Sequence, residues 1–244
     1  MSPGHDVVLR NGMLYDGSGA EPVTGDLAID GDRISALGDV PARGRTEIDV
    51  NGMAVAPGFI NMLSWANVAL IEDGRSQSDI RQGVTLEVMG EGWSPGPLNP
   101  AMKQEAQERQ GDIKYDVAWT TLGEYLDYLA ARGVSCNIAS FVGAATVRIH
   151  ELGYENRAPS AAELDRMQVL VRQAMEEGAM GVSSALIYAP ACFAGTAELI
   201  ALAQAAAPYG GMYISHLRNE GDRLLEAIDE LIAVAREAQI AAEI

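Results

Sequence analysis

The chain has 244 residues and only two cysteines, Cys136 and Cys192. They stand far apart in no CxxC pairing, which excludes a disulfide framework and fits a reducing compartment. Basic residues are few: 17 Lys and Arg against 34 Asp and Glu, a formal net charge of -17. A surface of that sign repels phosphate backbones and anionic lipid, so neither nucleic acid nor a membrane is an expected partner. No apolar run reaches the ~18 residues that span a bilayer. The start, MSPGHDVVLRNG, has no apolar stretch of the signal-peptide kind. These absences predict a cytoplasmic protein. No GxGxxG opens a helix after the first strand and no GxxxxGK[ST] occurs, which weakens a nucleotide-binding reading. Histidine is scarce too, with three in the chain.

What is present has two rhythms. Residues 1–57 hold short apolar runs, Asp6 to Arg10, Asp26 to Ile29, Arg33 to Leu37 and Met53 to Ala56, punctuated by Asn11-Gly12, Asp30-Gly31-Asp32 and Asn51-Gly52. Short β-rich runs between NG and DG turns predict hairpins of a small antiparallel sheet. From residue 58 short apolar runs alternate with helical stretches. The runs are Gly58 to Leu63, Val84 to Gly90, Ser135 to Val142, Ala179 to Leu186, Gly211 to Ser215 and Ile240 to Ile244. Ser160 with Glu163 forms a capping-box signature, and Leu164, Met167, Leu170, Val171, Ala174 and Met175 follow at helical spacing. Thr196 to Ala207 and Arg223 to Ala238 read as helices also. This alternation predicts an α/β fold on a parallel sheet. Residues 58–244 are fewer than the ~250 of a usual (β/α)8 TIM-type barrel, so a barrel here is an incomplete one.

Barrel enzymes work at the C-terminal ends of their strands. His216 ends the fifth run and is followed by the polar string Arg218-Asn219-Glu220-Gly221-Asp222. An imidazole there suits metal ligation or proton transfer; packing at a strand end is the bland alternative. Glu91 follows the second run on a Gly-flanked backbone and could bind a cation, with Glu87 a weaker candidate of the same parity. Ser183-Ser184 and Tyr188, which end the fourth run, could offer hydroxyls to a substrate; capping the strand is the bland alternative. His5 lies in the N-terminal tail and His150 in an expected loop. Neither cysteine has a nearby histidine, so a thiol nucleophile is unsupported.

Several segments together resemble the N-acyl-D-amino-acid deacylases (D-aminoacylases) of the amidohydrolase superfamily. They are Val55-Ala56-Pro57-Gly58-Phe59-Ile60-Asn61, Ser184-Ala185-Leu186-Ile187-Tyr188-Ala189-Pro190 with Thr196-Ala197-Glu198-Leu199, and above all Tyr209 to Gly221 (YGGMYISHLRNEG). The resemblance implies a small β-sandwich segment over 1–57 and the first five to six βα units of a hydrolase barrel over 58–244. It implies zinc as cofactor, an N-acyl amino acid as small-molecule substrate, and a compatible homo-oligomer. His216 matches the fifth-strand metal ligand, and Arg218, Tyr188 and Ser184 are the expected substrate contacts.

The departures are specific. Where family members carry His-x-His the stretch reads Asn61-Met62-Leu63-Ser64-Trp65, so one of two metal positions is expected to be lost. The second-strand cysteine ligand has no counterpart in Gly90-Glu91-Gly92-Trp93, which leaves Glu91 as its replacement, since zinc accepts oxygen as well as sulfur. A third-strand histidine is replaced around Ala144. The sixth-strand histidine and the eighth-strand aspartate, the family's general base, would fall beyond Ile244. No catalytic acid or base is therefore expected within the chain, which alone should lack hydrolase activity. A dihydropyrimidinase-like reading is disfavoured by the missing His-x-His. A metal-free scaffold or oligomerisation module is the alternative from another class.

Overall fold

The computed structural model describes residues 4–244. It divides into two compact units, the first running to Gly58 and the second from Phe59 to Ile244.

The first unit is one mixed sheet. Its strands are β1 (His5–Leu14), β2 (Val23–Asp30), β3 (Arg33–Gly38), β4 (Gly44–Asp49) and β5 (Ala54–Val55). The order is β3-β2-β1-β4, with β5 also on β1. β1 pairs antiparallel with β2 but parallel with β4 and β5, so the expected all-antiparallel sheet is corrected. The turn expected at Asn11-Gly12 is also absent: both residues lie inside β1, at a register shift against β2. Asn11 takes φ 60° there, and its amide donates to Asp49 at 3.0 Å. This is a bulge, which kinks the strand without ending it. Asn51-Gly52 is a true turn, closed by Met53 N–H on the Val50 carbonyl at 2.9 Å, and it carries the chain from β4 to β5 along one side of β1. Val8, Ala28 and Val40 form the small core.

The second unit alternates strands and helices. In order come β6 (Phe59–Asn61), α1 (Ala69–Glu72), α2 (Gln77–Ile80), β7 (Val84–Met89), α3 (Pro100–Glu108), α4 (Leu122–Arg132), β8 (Asn137–Ser140), β9 (Val142–Gly143), α5 (Ala144–Leu152), α6 (Ala161–Glu176), β10 (Gly181–Ala185), α7 (Thr196–Ala206), β11 (Met212–His216), α8 (Leu224–Ala238) and β12 (Ala241–Glu243). All strand pairs are parallel. β6-β7-β8 form one ladder and β9-β10-β11-β12 the other. β8 and β9 are a single run interrupted only at Phe141, so the strands neighbour one another in chain order. Such a layer must be covered by helices, and its strands are accordingly buried: every residue of β10 is.

The helices form where the sequence caps them. Ser160 accepts from Glu163 N–H while the Glu163 carboxylate accepts from Ser160 N–H at 2.7 Å. α6 then buries Met167, Val171, Ala174 and Met175, at about 1.5–3 kcal/mol for each fully buried large side chain. His150, expected in a loop, lies in α5. α5 is nearly all buried because it packs on α6 and β10, and it carries Arg148 into the interior against Glu198 of α7 at 2.6 Å. Among the described residues no helix is long and apolar enough to cross a membrane.

Candidate metal site and its relatives

The C-terminal ends of parallel strands gather the chemistry. His216 is the last residue of β11, and Glu91 stands two residues beyond the end of β7. Three strand steps separate β7 from β11, roughly 14 Å across a flat sheet. Yet His216 Nδ1 lies 3.2 Å from Glu91 Oε1. The layer therefore curves, and the loop after β7 folds inward over the strand ends.

That loop is built for close approach. Gly90 and Gly92 flank Glu91 with φ of 93° and 66°, a region where side chains are strained. A Cβ on Gly92 would lie 2.5 Å from the Ala185 Cβ, and one on Gly90 would lie 2.3 Å from the Phe141 carbonyl oxygen. The Ser183 hydroxyl of β10 ties the loop down. It accepts from Gly92 N–H at 2.9 Å and donates to the Gly90 carbonyl. In the β10–β11 ladder Ala185 is paired with His216. One strand thus locates both the imidazole and the loop that carries the carboxylate.

Both groups are mostly shielded, with His216 22% and Glu91 15% exposed at the side chain. Glu220, on the segment after β11, brings Oε1 to 3.2 Å from His216 Nε2. The Tyr188 ring meets the imidazole edge-on, 5.3 Å between centroids. Met62, Leu63, Glu91, His216 and Glu220 line a cavity of about 290 Å³. Among the described residues no three His, Cys, Asp or Glu side chains converge as an ion site.

Two expected substrate contacts are corrected. Ser184 has no exposure; its hydroxyl is bonded to Tyr213 at 2.6 Å and to Ser215 at 3.0 Å, between buried strands. The Arg218 guanidinium is consumed by a two-pronged pairing with Glu230, at 2.8 and 2.9 Å, and by the carbonyls of Cys192 and Ala194. It braces the segment after β10 against α8. Tyr188 alone of the three lies beside His216. Glu87 does not join Glu91 either: it is fully buried, with its carboxylate accepting from Ser64 at 2.6 Å and from Ser76. Ser183, expected from the sequence to offer a hydroxyl to a substrate, is instead the anchor of the loop after β7; its partners lie more than ninety residues away and leave no local signal.

No family model matches the chain. It is 34% identical over 240 residues, 96% of its length, to a D-aminoacylase of Alcaligenes xylosoxydans xylosoxydans, and covers 49% of that protein. The crystal structure of a D-aminoacylase superposes with a TM-score of 0.86 at 32% identity, over 98% of this chain and 50% of that one. The N-acyl-D-glutamate deacylase of Bordetella bronchiseptica, solved with zinc and a phosphonate inhibitor, gives 0.86 at 31% identity with the same coverage. The chain spans about half the length of the curated relatives it matches. By sequence and by fold, along nearly all of its residues, the chain is homologous to the N-acyl-D-amino-acid deacylases (D-aminoacylases), about half of whose length it covers.

Proposed function

We propose that the chain carries one side of the active site of a zinc-dependent hydrolase that cleaves a linear amide C–N bond, with N-acyl-D-amino acids as substrates. The observation that carries this reading is the 3.2 Å between His216 Nδ1 and Glu91 Oε1. Zinc binds imidazole nitrogen and carboxylate oxygen at about 2.0–2.2 Å in tetrahedral geometry. Two such ligands stand roughly 3.3–3.5 Å apart, so the pair fits one ion with almost no movement. When bound, zinc supplies a Lewis acid and an acidified water.

The chain's own groups have separable tasks. His216 and Glu91 would hold the ion. Glu220, facing Nε2, favours the tautomer that leaves Nδ1 free as a ligand, as carboxylates beside metal-bound histidines do. Tyr188 shields one face of the imidazole. Leu63 and Trp65 present apolar side chains where the family's paired histidines would stand, which favours a single ion. The parallel strands in chain order, curved enough to bring β7 and β11 side chains together, support the first six units of a (β/α)8 barrel. Residues 4–58 support part of the family's small β-domain.

Two ligands are fewer than the three protein ligands of a catalytic zinc, so the 244-residue chain by itself is expected to turn nothing over. A second reading, a metal-free scaffold or oligomerisation module, is favoured by Leu63 and Trp65 at the paired-histidine positions. Metal analysis with an amidase assay separates them. Zinc uptake that depends on Glu91 and His216, without turnover of N-acetyl-D-amino acids, supports the first reading. Absence of zinc from a folded chain supports the scaffold, and turnover that His216→Ala abolishes would refute the inactivity.

A further inference from the structure

Glu87, the acidic residue of β7, plays no part in the proposed ion site. It is fully buried, and the groups that reach its carboxyl are neutral: Ser64 donates to one oxygen at 2.6 Å and Ser76 to the other. Hydroxyls supply no counter-charge, so an apolar side chain would be less costly to bury there. The cost extends to Ser76. It stands at the start of α2 in the left-handed region, at φ 46°, where a side chain is strained. It makes no capping bond to the helix; its hydroxyl is turned to Glu87 instead.

Ser64 shows what this arrangement holds. The β6–β7 ladder ends where Asn61 pairs with Glu87. Met62 and Leu63 follow, 47% and 51% exposed, so burial does little to fix them. Both nevertheless line the cavity of Glu91 and His216. Polar contacts pin the segment from two sides. Leu63 N–H donates to the Asn61 carboxamide oxygen at 3.2 Å, and the Asn61 amide donates to Asp79 at 3.2 Å. Ser64 N–H donates to the Val88 carbonyl at 2.8 Å, and its hydroxyl donates to Glu87. We infer that Glu87 is a positioning residue: through Ser64 it holds residues 62–64 in place as the apolar wall of the metal cavity. Such a wall limits water around an ion and so strengthens its attraction to charged ligands. The inference rests on the metal-site reading for the effect on zinc alone; the anchoring is independent of it.

A variant that removes the anchor and keeps the fold tests this. Replacing all partners of a buried polar cluster by apolar groups can be nearly neutral. The full chain carrying Ser64→Ala, Ser76→Ala and Glu87→Leu together should therefore unfold near the wild-type urea midpoint. Without zinc, its residue 64 N–H should exchange with solvent about tenfold faster or more, the local opening that a lost anchor allows. The Met62 methyl resonance should move toward that of a free side chain, and zinc affinity should fall several-fold. Glu87→Gln alone, whose amide can accept from one serine and donate to the other, should keep the slow exchange and most of the affinity. Slow exchange with an unmoved Met62 methyl in the combined variant would overturn the anchoring. Fast exchange in step with a collapsed urea midpoint would do so too, since it marks a merely structural role. Unchanged zinc affinity beside a freed wall would overturn the link to the site. A wild-type chain that takes up no zinc defeats the metal-site reading instead, and the zinc-free exchange still decides for or against Glu87 as anchor.

Discussion

Ser183 holds the loop on which Glu91 stands: one hydroxyl accepts from Gly92 N–H at 2.9 Å and donates to the Gly90 carbonyl. Ser184, its neighbour, serves a buried hydroxyl cluster with Tyr213 and Ser215 instead. The two serines therefore predict different phenotypes. Ser183→Ala leaves a buried N–H and C=O without their shared partner, at about 1–3 kcal/mol, and frees the carboxylate from its place. It should lower the urea midpoint and weaken zinc binding by about 10–100-fold, the range for loss of an outer-shell partner. Ser184→Ala should cost stability alone. Calorimetric zinc titration beside urea unfolding of both variants checks the split.

Gly92 allows a sharper test. Alanine there meets positive φ and a Cβ contact of 2.5 Å with Ala185. The strain of a side chain in that region, about 1–3 kcal/mol, adds to a clash that only a backbone shift relieves. Gly92→Ala should therefore move Glu91 away from His216 and reduce zinc binding more than Ser183→Ala does. Wild-type zinc affinity in a folded Gly92→Ala chain would contradict the loop geometry.

The Arg218–Glu230 pair gives a pH dependence. Burial by itself would raise the Glu230 carboxyl, but the Arg218 fork and the Thr196 hydroxyl outweigh it and hold the group below the usual carboxylate range. A depressed folded-state value stabilises the chain above the unfolded carboxylate pKa of about 4.3. That contribution is lost as pH falls through the folded value. Glu230→Gln should thus flatten the decline in stability below about pH 4.3 while lowering stability at neutral pH, as read from unfolding midpoints across pH 3 to 7.

Arg148 and Glu198 form a buried pair, 1% and 4% exposed, with Arg148 Nε and Glu198 Oε1 left unpartnered. Removing one charge strands the other, at about 3–5 kcal/mol, whereas replacing both with apolar residues of similar volume is often neutral. Arg148→Met should be strongly destabilising, and Arg148→Met with Glu198→Met should recover most of the loss. A double-mutant cycle by urea unfolding tests this.

How far the sequence reaches can be judged residue by residue. The Ser160–Glu163 capping box marked the start of α6 because its signal is local. Thr121 and Glu124 carry the same signature at the start of α4, and Asn99 before Pro100 caps α3; both were readable by the same rule. β4 was not, since its residues are mostly exposed and polar and it exists through pairing with β1 rather than through burial. Asn11-Gly12 misleads for a related reason, because the same left-handed preference serves a turn or a bulge and only the partner strand decides. At the site, strand-end logic singles out His216 and Glu91 separately. Their 3.2 Å meeting depends on sheet curvature and on Ser183, which no local pattern encodes. Arg218 and Ser184 look available in the sequence and are not, because Glu230, Tyr213 and Ser215 claim them.

Because Ala185 registers His216 and Ser183 registers the Glu91 loop, β10 acts as a common datum for the two groups. A displacement of β10 is therefore expected to carry both with it. An arriving cation would meet donors already in position, with little ordering left to impose, so its capture should be fast and nearly free of structural rearrangement.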